Sequence, residues 1–152
     1  MIGLDFEVKN EYNNYLNKIL NGINLFNYVW ELNDDDFIYA ENGELKEDFF
    51  GADVLNAEEF TECISRDSYY MIFADIKAYP IGSERIEIKT FKDFLRSNCV
   101  MVILCTDSGF IEFYCKEKEI LDKVYTNCIN NGFEKVEYKS AADVSERCLI
   151  AW

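Results

Sequence analysis

The chain has 152 residues, of which 29 are acidic, 15 are basic and none is histidine, and its formal net charge at pH 7 is −14. This charge opposes binding to nucleic acid and to anionic membranes, and the missing histidine removes a frequent proton-transfer group and metal ligand. Apolar residues make up 49% of the chain, which excludes a disordered chain and predicts a folded domain.

Apolar periodicity predicts a mixture of strands and helices along the first half of the chain. In chain order it predicts a strand at 2–8, a helix that begins at Asn10 and ends at Asn21 and Gly22, strands at 25–32 and 37–40, a loop at 44–55 and a helix at 58–65. The polar residues 33–36 are typical of a turn, and so we expect the strands on either side of them to pair as a hairpin.

The second half contains the clearest local signals. In chain order it predicts a central strand at 69–78, a short strand at 86–88, a helix capped by Thr90, strands at 99–106 and 110–115, a helix at 117–131, a strand at 133–138, a turn or short helix at 140–146 and a final strand at 148–152. The strands around Asp107, Ser108 and Gly109 form a predicted hairpin in which Cys105 faces Ile111. Together the elements predict a single α+β domain over residues 1–152, with a mainly antiparallel sheet of about seven strands and three or four helices packed against it.

The cysteines and the apolar segments predict a cytoplasmic protein without disulfides. The six cysteines include no Cys-x-x-Cys pair, and we expect them to be buried free thiols. No basic, apolar leader precedes the first strand, and the longest apolar run, residues 99–105, is far too short to span a membrane. Glycine-rich phosphate loops and the Gly-x-Ser-x-Gly motif are also missing from the sequence, and we predict no cofactor, no metal and no catalytic residue.

Residues 68–80, with the sequence Ser-Tyr-Tyr-Met-Ile-Phe-Ala-Asp-Ile-Lys-Ala-Tyr-Pro, resemble a segment of a family of small bacterial proteins. That family is labelled only as a domain of unknown function. The paired tyrosines of the early helix, the strand that ends at Tyr79 and Pro80, and the tail that ends at Trp152 fit the same family, and the similarity extends over most of the chain. The resemblance implies a complete protein of this family, and it implies no activity and no functional residues.

The acidic residues are concentrated between Glu31 and Glu62, where twelve acids accompany one base, Lys46. Such a surface attracts cationic partners, speeds their encounter and restricts the choice of partner. We therefore predict a non-catalytic protein-binding module that meets a basic protein, similar to an inhibitor or to the small acidic immunity proteins that neutralise cationic nucleases. The predicted contact residues are Glu31, Asp34, Asp35, Asp36, Glu41, Glu44, Glu47 and Asp48. The simpler interpretation is a solvated face that keeps the protein in solution.

The aspartates at 34–36, together with Glu41 and Glu44, also offer oxygen ligands of the kind that calcium and magnesium prefer. An EF-hand loop that starts at residue 34 would need glycine and glutamate where Tyr39 and Leu45 stand. The pattern therefore favours a polar hairpin turn over a metal site.

Asp75, Lys77 and Tyr79 follow one another at a spacing of two in the central strand, so that their side chains share one face of the sheet. This group predicts an alternative function, a small-ligand-binding protein or an enzyme that uses a buried carboxylate in a pocket near these residues. The same pattern is typical of the solvated face of a strand, or of a charged pair that neutralises itself.

Overall fold

The computed structural model describes residues 1–33 and 35–151, which form an α+β fold around one nine-stranded sheet. The strands are β1 (Gly3–Glu7), β2 (Tyr28–Leu32), β3 (Asp36–Glu41), β4 (Glu44–Lys46), β5 (Val54–Leu55), β6 (Tyr70–Pro80), β7 (Met101–Thr106), β8 (Phe110–Cys115) and β9 (Glu134–Lys139). The α-helices are α1 (Tyr15–Ile19), α2 (Ala57–Ile64), α3 (Phe91–Arg96), α4 (Lys118–Asn130) and α5 (Ala141–Val144). The predicted fold class is confirmed, and the described residues contain more strands and helices than the sequence predicted.

β6 organises the sheet, because it is 11 residues long and pairs with three other strands. β7 pairs with one side of β6, while β2 and β3 pair with two halves of the other side. Trp30 lies opposite Ala78, and Phe37 lies opposite Met71. The predicted hairpin between 25–32 and 37–40 is therefore wrong. The two strands lie end to end along β6, each antiparallel to it, so that the chain runs in the same direction in both.

The outer edge next to β2 and β3 is interrupted. β5 pairs with Trp30 and Glu31 of β2, and β4 pairs with residues 39–41 of β3, which leaves a gap between them. Asn42 and Gly43, at φ 52° and 81°, make the tight turn that joins β3 to β4. The prediction of a loop over 44–55 missed both short strands, because three and two residues are too few to show an alternating pattern.

The opposite half of the sheet follows the sequence more closely. The predicted hairpin is formed by β7 and β8, and Cys105 lies opposite Ile111 as expected. The long helix predicted at 117–131 is α4, and the strand predicted at 133–138 is β9. β1 lies between β8 and β9, so that the first strand of the chain is paired on both sides by late ones.

Local hydrogen bonds explain where the helices begin. Reciprocal capping boxes start α2 at Asn56 and α3 at Thr90. α1 begins later than predicted, because Asn13 forms an isolated β-bridge with Tyr69. The Tyr69 hydroxyl then accepts a hydrogen bond from the backbone N–H of Leu16 at 3.1 Å, which satisfies a free donor of the first turn.

The C-terminal segment is docked without forming the predicted strand. Cys148 makes a single β-bridge with Thr90, and the backbone N–H of Leu149 donates to the Lys89 carbonyl at 2.8 Å. Leu149 and Ala151 are buried, while Trp152 lies outside the described residues. Residues 86–88, also predicted as a strand, are irregular, although Ile88 is buried.

Each face of the sheet has its own hydrophobic core. The larger core joins α1, α2 and α4 to one face and includes Leu16, Trp30, Phe60, Ile103 and Leu121. The smaller core joins α3, α5 and the C-terminal segment to the other face and includes Tyr79, Phe91, Phe94, Tyr114 and Leu149. Because side chains alternate along a strand, Ala74, Ile76 and Ala78 of β6 join the larger core, while Phe73 and Tyr79 join the smaller one.

Candidate functional site

The acidic residues predicted to contact a partner do not lie in one patch. The structure divides them into Asp35, Glu47 and Asp48 around one concavity, Glu41 and Glu44 on the β3–β4 hairpin, and Glu31 beside Lys77. Asp36 is exposed at the start of β3, and Asp34 lies outside the described residues. Three of the eight predicted residues therefore line the concavity, and Glu31 lines a different cavity.

The concavity occupies the gap in the outer edge between β4 and β5, and we name it the acidic notch. Its volume is about 360 Å³. Its carboxylates are Asp35, Glu47, Asp48 and Asp53, and its apolar side chains are Leu32, Phe37, Phe49 and Phe50. None of the described residues that line the notch is basic. The sequence prediction did not include Asp53, although the residue lies within the same acidic stretch.

Ring packing holds the segment that carries the acids of the notch. Phe49 stacks on Phe37 with ring centroids 4.5 Å apart, and both rings are buried. The Arg66 guanidinium donates a hydrogen bond to the Phe49 carbonyl at 2.7 Å. At the far end of the segment, the Asp53 carbonyl accepts from the Leu32 backbone N–H at 2.8 Å. The acids thus project from a backbone that is anchored at its middle and at its end.

Few of the described carboxylates in residues 31–33 and 36–62 have a cationic partner. The ion pairs in these two ranges are Glu31 with Arg85 at 3.2 Å and Glu41 with Lys46 at 4.0 Å. No ion pair within the described chain involves Asp36, Glu44, Glu47, Asp48 or Asp53. These five residues are exposed, and their negative charge therefore faces solvent.

Two acids of the notch also accept hydrogen bonds, and the Asp75 backbone N–H donates to Asp35 Oδ1 at 3.2 Å. The Tyr39 hydroxyl donates to Asp48 Oδ1 at 3.2 Å. Burial, together with this hydrogen bond, raises the pKa of the Tyr39 hydroxyl, so that it remains a donor at neutral pH. The bond orients the Asp48 carboxylate and leaves its charge unbalanced.

Asp75 and Lys77 are buried on the face of the sheet that the smaller core covers, with exposed fractions of 3% and 2%. The Lys77 ammonium donates to the Asp75 carboxylate, so the interpretation of a solvated strand face is wrong and that of a neutralising pair is confirmed. The pair lines a cavity of about 370 Å³, which we name the ion-pair cavity. Its other lining residues are Glu31, Asn33, Glu87, Ile88, Lys89 and Ile150.

Tyr79, the third member of the predicted pocket, does not line the ion-pair cavity. Its ring packs in the smaller core, and its hydroxyl donates to the Ile86 carbonyl at 3.0 Å. Burial raises the pKa of this hydroxyl, which stays protonated at neutral pH. The structure therefore brings together two of the three predicted pocket residues and assigns Tyr79 to packing.

Arg147 forms a charged cluster that the sequence did not reveal. Its two terminal nitrogens donate to the two carboxylate oxygens of Asp5 at 2.9 Å each, and Nη1 also donates to Glu112 at 2.8 Å and to the Tyr114 hydroxyl at 3.0 Å. Asp5 and Glu112 lie directly opposite each other on β1 and β8. Arg147 therefore bridges two adjacent carboxylates and ties the C-terminal segment to the sheet.

All six cysteines are free thiols, and five of them are buried, while Cys148 is exposed. Burial raises the pKa of each of Cys99, Cys105, Cys115 and Cys128 to about 12. These four thiols are therefore protonated at neutral pH and act as apolar packing groups.

The described residues contain neither a candidate metal site nor a candidate membrane span. Across 1–33 and 35–151, no three Cys, Asp or Glu side chains are grouped so that they could hold a metal ion. The same part of the chain contains no helix with the length and apolar character required to cross a bilayer.

These features define an α+β protein with an acidic notch in one sheet edge and a buried ion pair on the face that the smaller core covers. The chain belongs to the family described as "Protein of unknown function (DUF2691)", whose model matches residues 1–150, and the resemblance noted in residues 68–80 is confirmed. It is similar to "Uncharacterized protein YncE" of Bacillus subtilis (strain 168), with 32% identity over 138 residues, or 90% of each chain. No solved structure matches the chain.

Proposed function

We propose that this protein is a non-catalytic binding module of the cytoplasm that takes a basic protein at its acidic notch. An inhibitor-like or immunity-like role, in which the notch covers a cationic surface of the partner, is the concrete form of the proposal. The observation that carries it is a concavity of about 360 Å³ among whose carboxylates Glu47, Asp48 and Asp53 are exposed and form no ion pair within the described chain. A lysine or arginine side chain of a partner supplies the missing positive charge.

Charge and shape act together at the notch. Exposed carboxylates set up a field that speeds the approach of a cation, and a concave wall of low dielectric concentrates that field. The apolar side chains below the acids, among them Phe49 and Phe50, suit the methylene stem of a lysine or arginine. Because the surrounding segment is anchored by ring stacking and hydrogen bonds, little ordering opposes binding.

The exposed β3–β4 hairpin extends the proposed contact beyond the notch. Glu41 and Glu44 lie opposite each other beside its turn, and Leu45 is 72% exposed. An apolar side chain among carboxylates matches the mixed chemistry of a protein interface better than that of a site for a simple ion.

The first experiment compares two variants of equal net charge. The notch variant carries Glu47→Gln, Asp48→Asn and Asp53→Asn, and the control variant carries Glu84→Gln, Asp107→Asn and Glu119→Gln at exposed sites elsewhere. Each protein is titrated at low salt with an arginine- and lysine-rich peptide by calorimetry. We expect the notch variant to bind about tenfold more weakly, since three exposed charge contacts contribute roughly 0.5 kcal/mol each. We expect the control to bind like the wild type.

Equal weakening in both variants would show that the peptide responds only to net charge, and the proposal would fail. The same pair of variants tests a native partner. A basic protein that co-purifies with the wild type at low salt and is released at high salt must also co-purify with the control variant, and must be lost with the notch variant.

A further inference from the structure

We propose that the ion-pair cavity binds a small zwitterion of the amino-acid class, with its carboxylate on the Lys77 ammonium. This inference concerns the face opposite the larger core and is independent of the acidic notch. A lysine ammonium has three N–H donors. Within the described residues, the Lys77 ammonium bonds one side chain, that of Asp75. Two of its three donors therefore remain for a ligand, at a position that is almost fully buried.

The charges around the cavity are balanced in pairs. Asp75 pairs with Lys77, Glu31 pairs with Arg85 at 3.2 Å, and Glu87 pairs with Lys89 at 3.4 Å. A ligand with a single negative charge would meet three carboxylates near Lys77, and one with a single positive charge would meet the Lys77 ammonium. A zwitterion avoids both mismatches, because its carboxylate joins Lys77 while its ammonium group meets a carboxylate of the wall.

The remaining surface of the cavity favours a ligand that has an apolar side chain. Ile88, which is 5% exposed, and Ile150 provide the apolar part of the lining. A volume of about 370 Å³ lies near the lower limit for small-molecule sites and suits an amino acid better than a nucleotide. Asn33 adds an amide, whose Nδ2 donates to Glu31 at 3.1 Å and so orients that carboxylate at the wall.

The wall that carries Ile150 is part of the docked C-terminal segment. The Leu149 N–H donates to the Lys89 carbonyl at 2.8 Å, and the Arg147 carbonyl accepts from the Phe91 N–H at 3.1 Å. These bonds hold the segment against residues that precede and start α3. A ligand between Lys77 and Ile150 therefore contacts both the sheet and its cover.

The test is an NMR titration of the isotopically labelled full chain with L-valine, L-leucine, L-isoleucine and L-methionine at millimolar concentration. We expect saturable shifts of the amides of Asn33, Ile88 and Ile150 with at least one of them. Two analogues separate the charges of leucine: 4-methylpentanoate lacks the amine, and isoamylamine lacks the carboxylate. Both should bind at least about tenfold more weakly, the loss of one charged hydrogen bond.

Variants connect binding to the cavity. Glu31→Gln removes a wall carboxylate at a partly exposed position and should weaken amino-acid binding severalfold, while Glu84→Gln should leave it unchanged. Asp75→Leu with Lys77→Met replaces the pair by apolar groups, which folded proteins often tolerate, and should abolish binding. The notch variant should bind amino acids like the wild type, so that the two proposals fail separately.

Three results would overturn the inference. The first is that none of the four amino acids shifts the wall amides. The second is that 4-methylpentanoate binds as tightly as leucine, which would make the ligand class a simple carboxylate. The third is that the Asp75→Leu, Lys77→Met protein, with its fold verified by its spectrum, binds as before.

Discussion

The acidic notch and the ion-pair cavity contain the same kinds of charged side chain in opposite electrostatic settings. In the notch, four carboxylates surround a concavity without a base among its described lining residues, and the three that follow β4 are exposed. In the cavity, each carboxylate has a cation: Asp75 has Lys77, Glu31 has Arg85 and Glu87 has Lys89. An unbalanced surface is suited to attract a cationic partner, and a balanced cavity is suited to a ligand that carries both charges.

The comparison predicts that the largest loss of stability follows from breaking the buried pair. Lys77→Met leaves the Asp75 carboxylate 3% exposed without its ammonium, and should lower the free energy of unfolding by about 3–5 kcal/mol. Urea denaturation measures this change. The double variant Asp75→Leu, Lys77→Met is the control and should recover most of the loss. A cost below about 1 kcal/mol for Lys77→Met would contradict the description of the pair as buried and mutually neutralising.

The Arg147 cluster should give an intermediate effect. Arg147→Leu removes a guanidinium that bonds Asp5 and Glu112, and leaves these two carboxylates opposite each other. We expect a loss of about 2 kcal/mol in urea denaturation, because charged hydrogen bonds are lost at a site that is about 30% exposed.

Arg147→Lys separates charge from geometry in the same cluster. Lysine keeps the positive charge and cannot make the paired bonds to both oxygens of Asp5, so it should restore only part of the stability. The Leu variant should also be cut faster by protease within residues 145–151, since the segment loses its anchor. Full recovery by lysine would mean that the paired geometry does not matter.

The smallest effect is expected at the notch. The variant with Glu47→Gln, Asp48→Asn and Asp53→Asn should be as stable as the wild type, or more stable by up to about 0.5 kcal/mol, because it relieves repulsion between exposed like charges. Asn at 48 keeps an acceptor for the Tyr39 hydroxyl. Thermal unfolding at low and high salt measures the difference, which should vanish at high salt. A clear loss of stability would show that the notch has structural partners.

Much of the fold was predictable wherever the signal was local. The β7–β8 hairpin and α4 each carry their turn residue, periodicity and stop signal within about twenty residues of sequence.

The failure of the hairpin prediction at 33–36 has a physical reason. Polar residues suit a hairpin turn and also suit an exposed break between two consecutive strands, and the difference depends on β6, about forty residues later, which is long enough to pair with both.

The sites were harder to predict than the fold because they depend on register. Asp75 and Lys77 share a face by alternation alone, but their burial results from α3 and the C-terminal segment, which cover that face. The Arg147 cluster unites Asp5, Glu112 and Arg147, which are 35 to 142 residues apart, and no local pattern connects them. Only the pairing of β1 with β8 shows that the two acids are adjacent.

The position of β1 has a consequence for how the molecule is made on the ribosome. β1 ends at Glu7, yet its two neighbours, β8 and β9, begin at Phe110 and Glu134. During translation β1 therefore remains unpaired until β8 and β9 have been synthesised. Nascent chains stopped before residue 110 should leave β1 open to chaperones, and this part of the sheet closes only after residue 139 has been added.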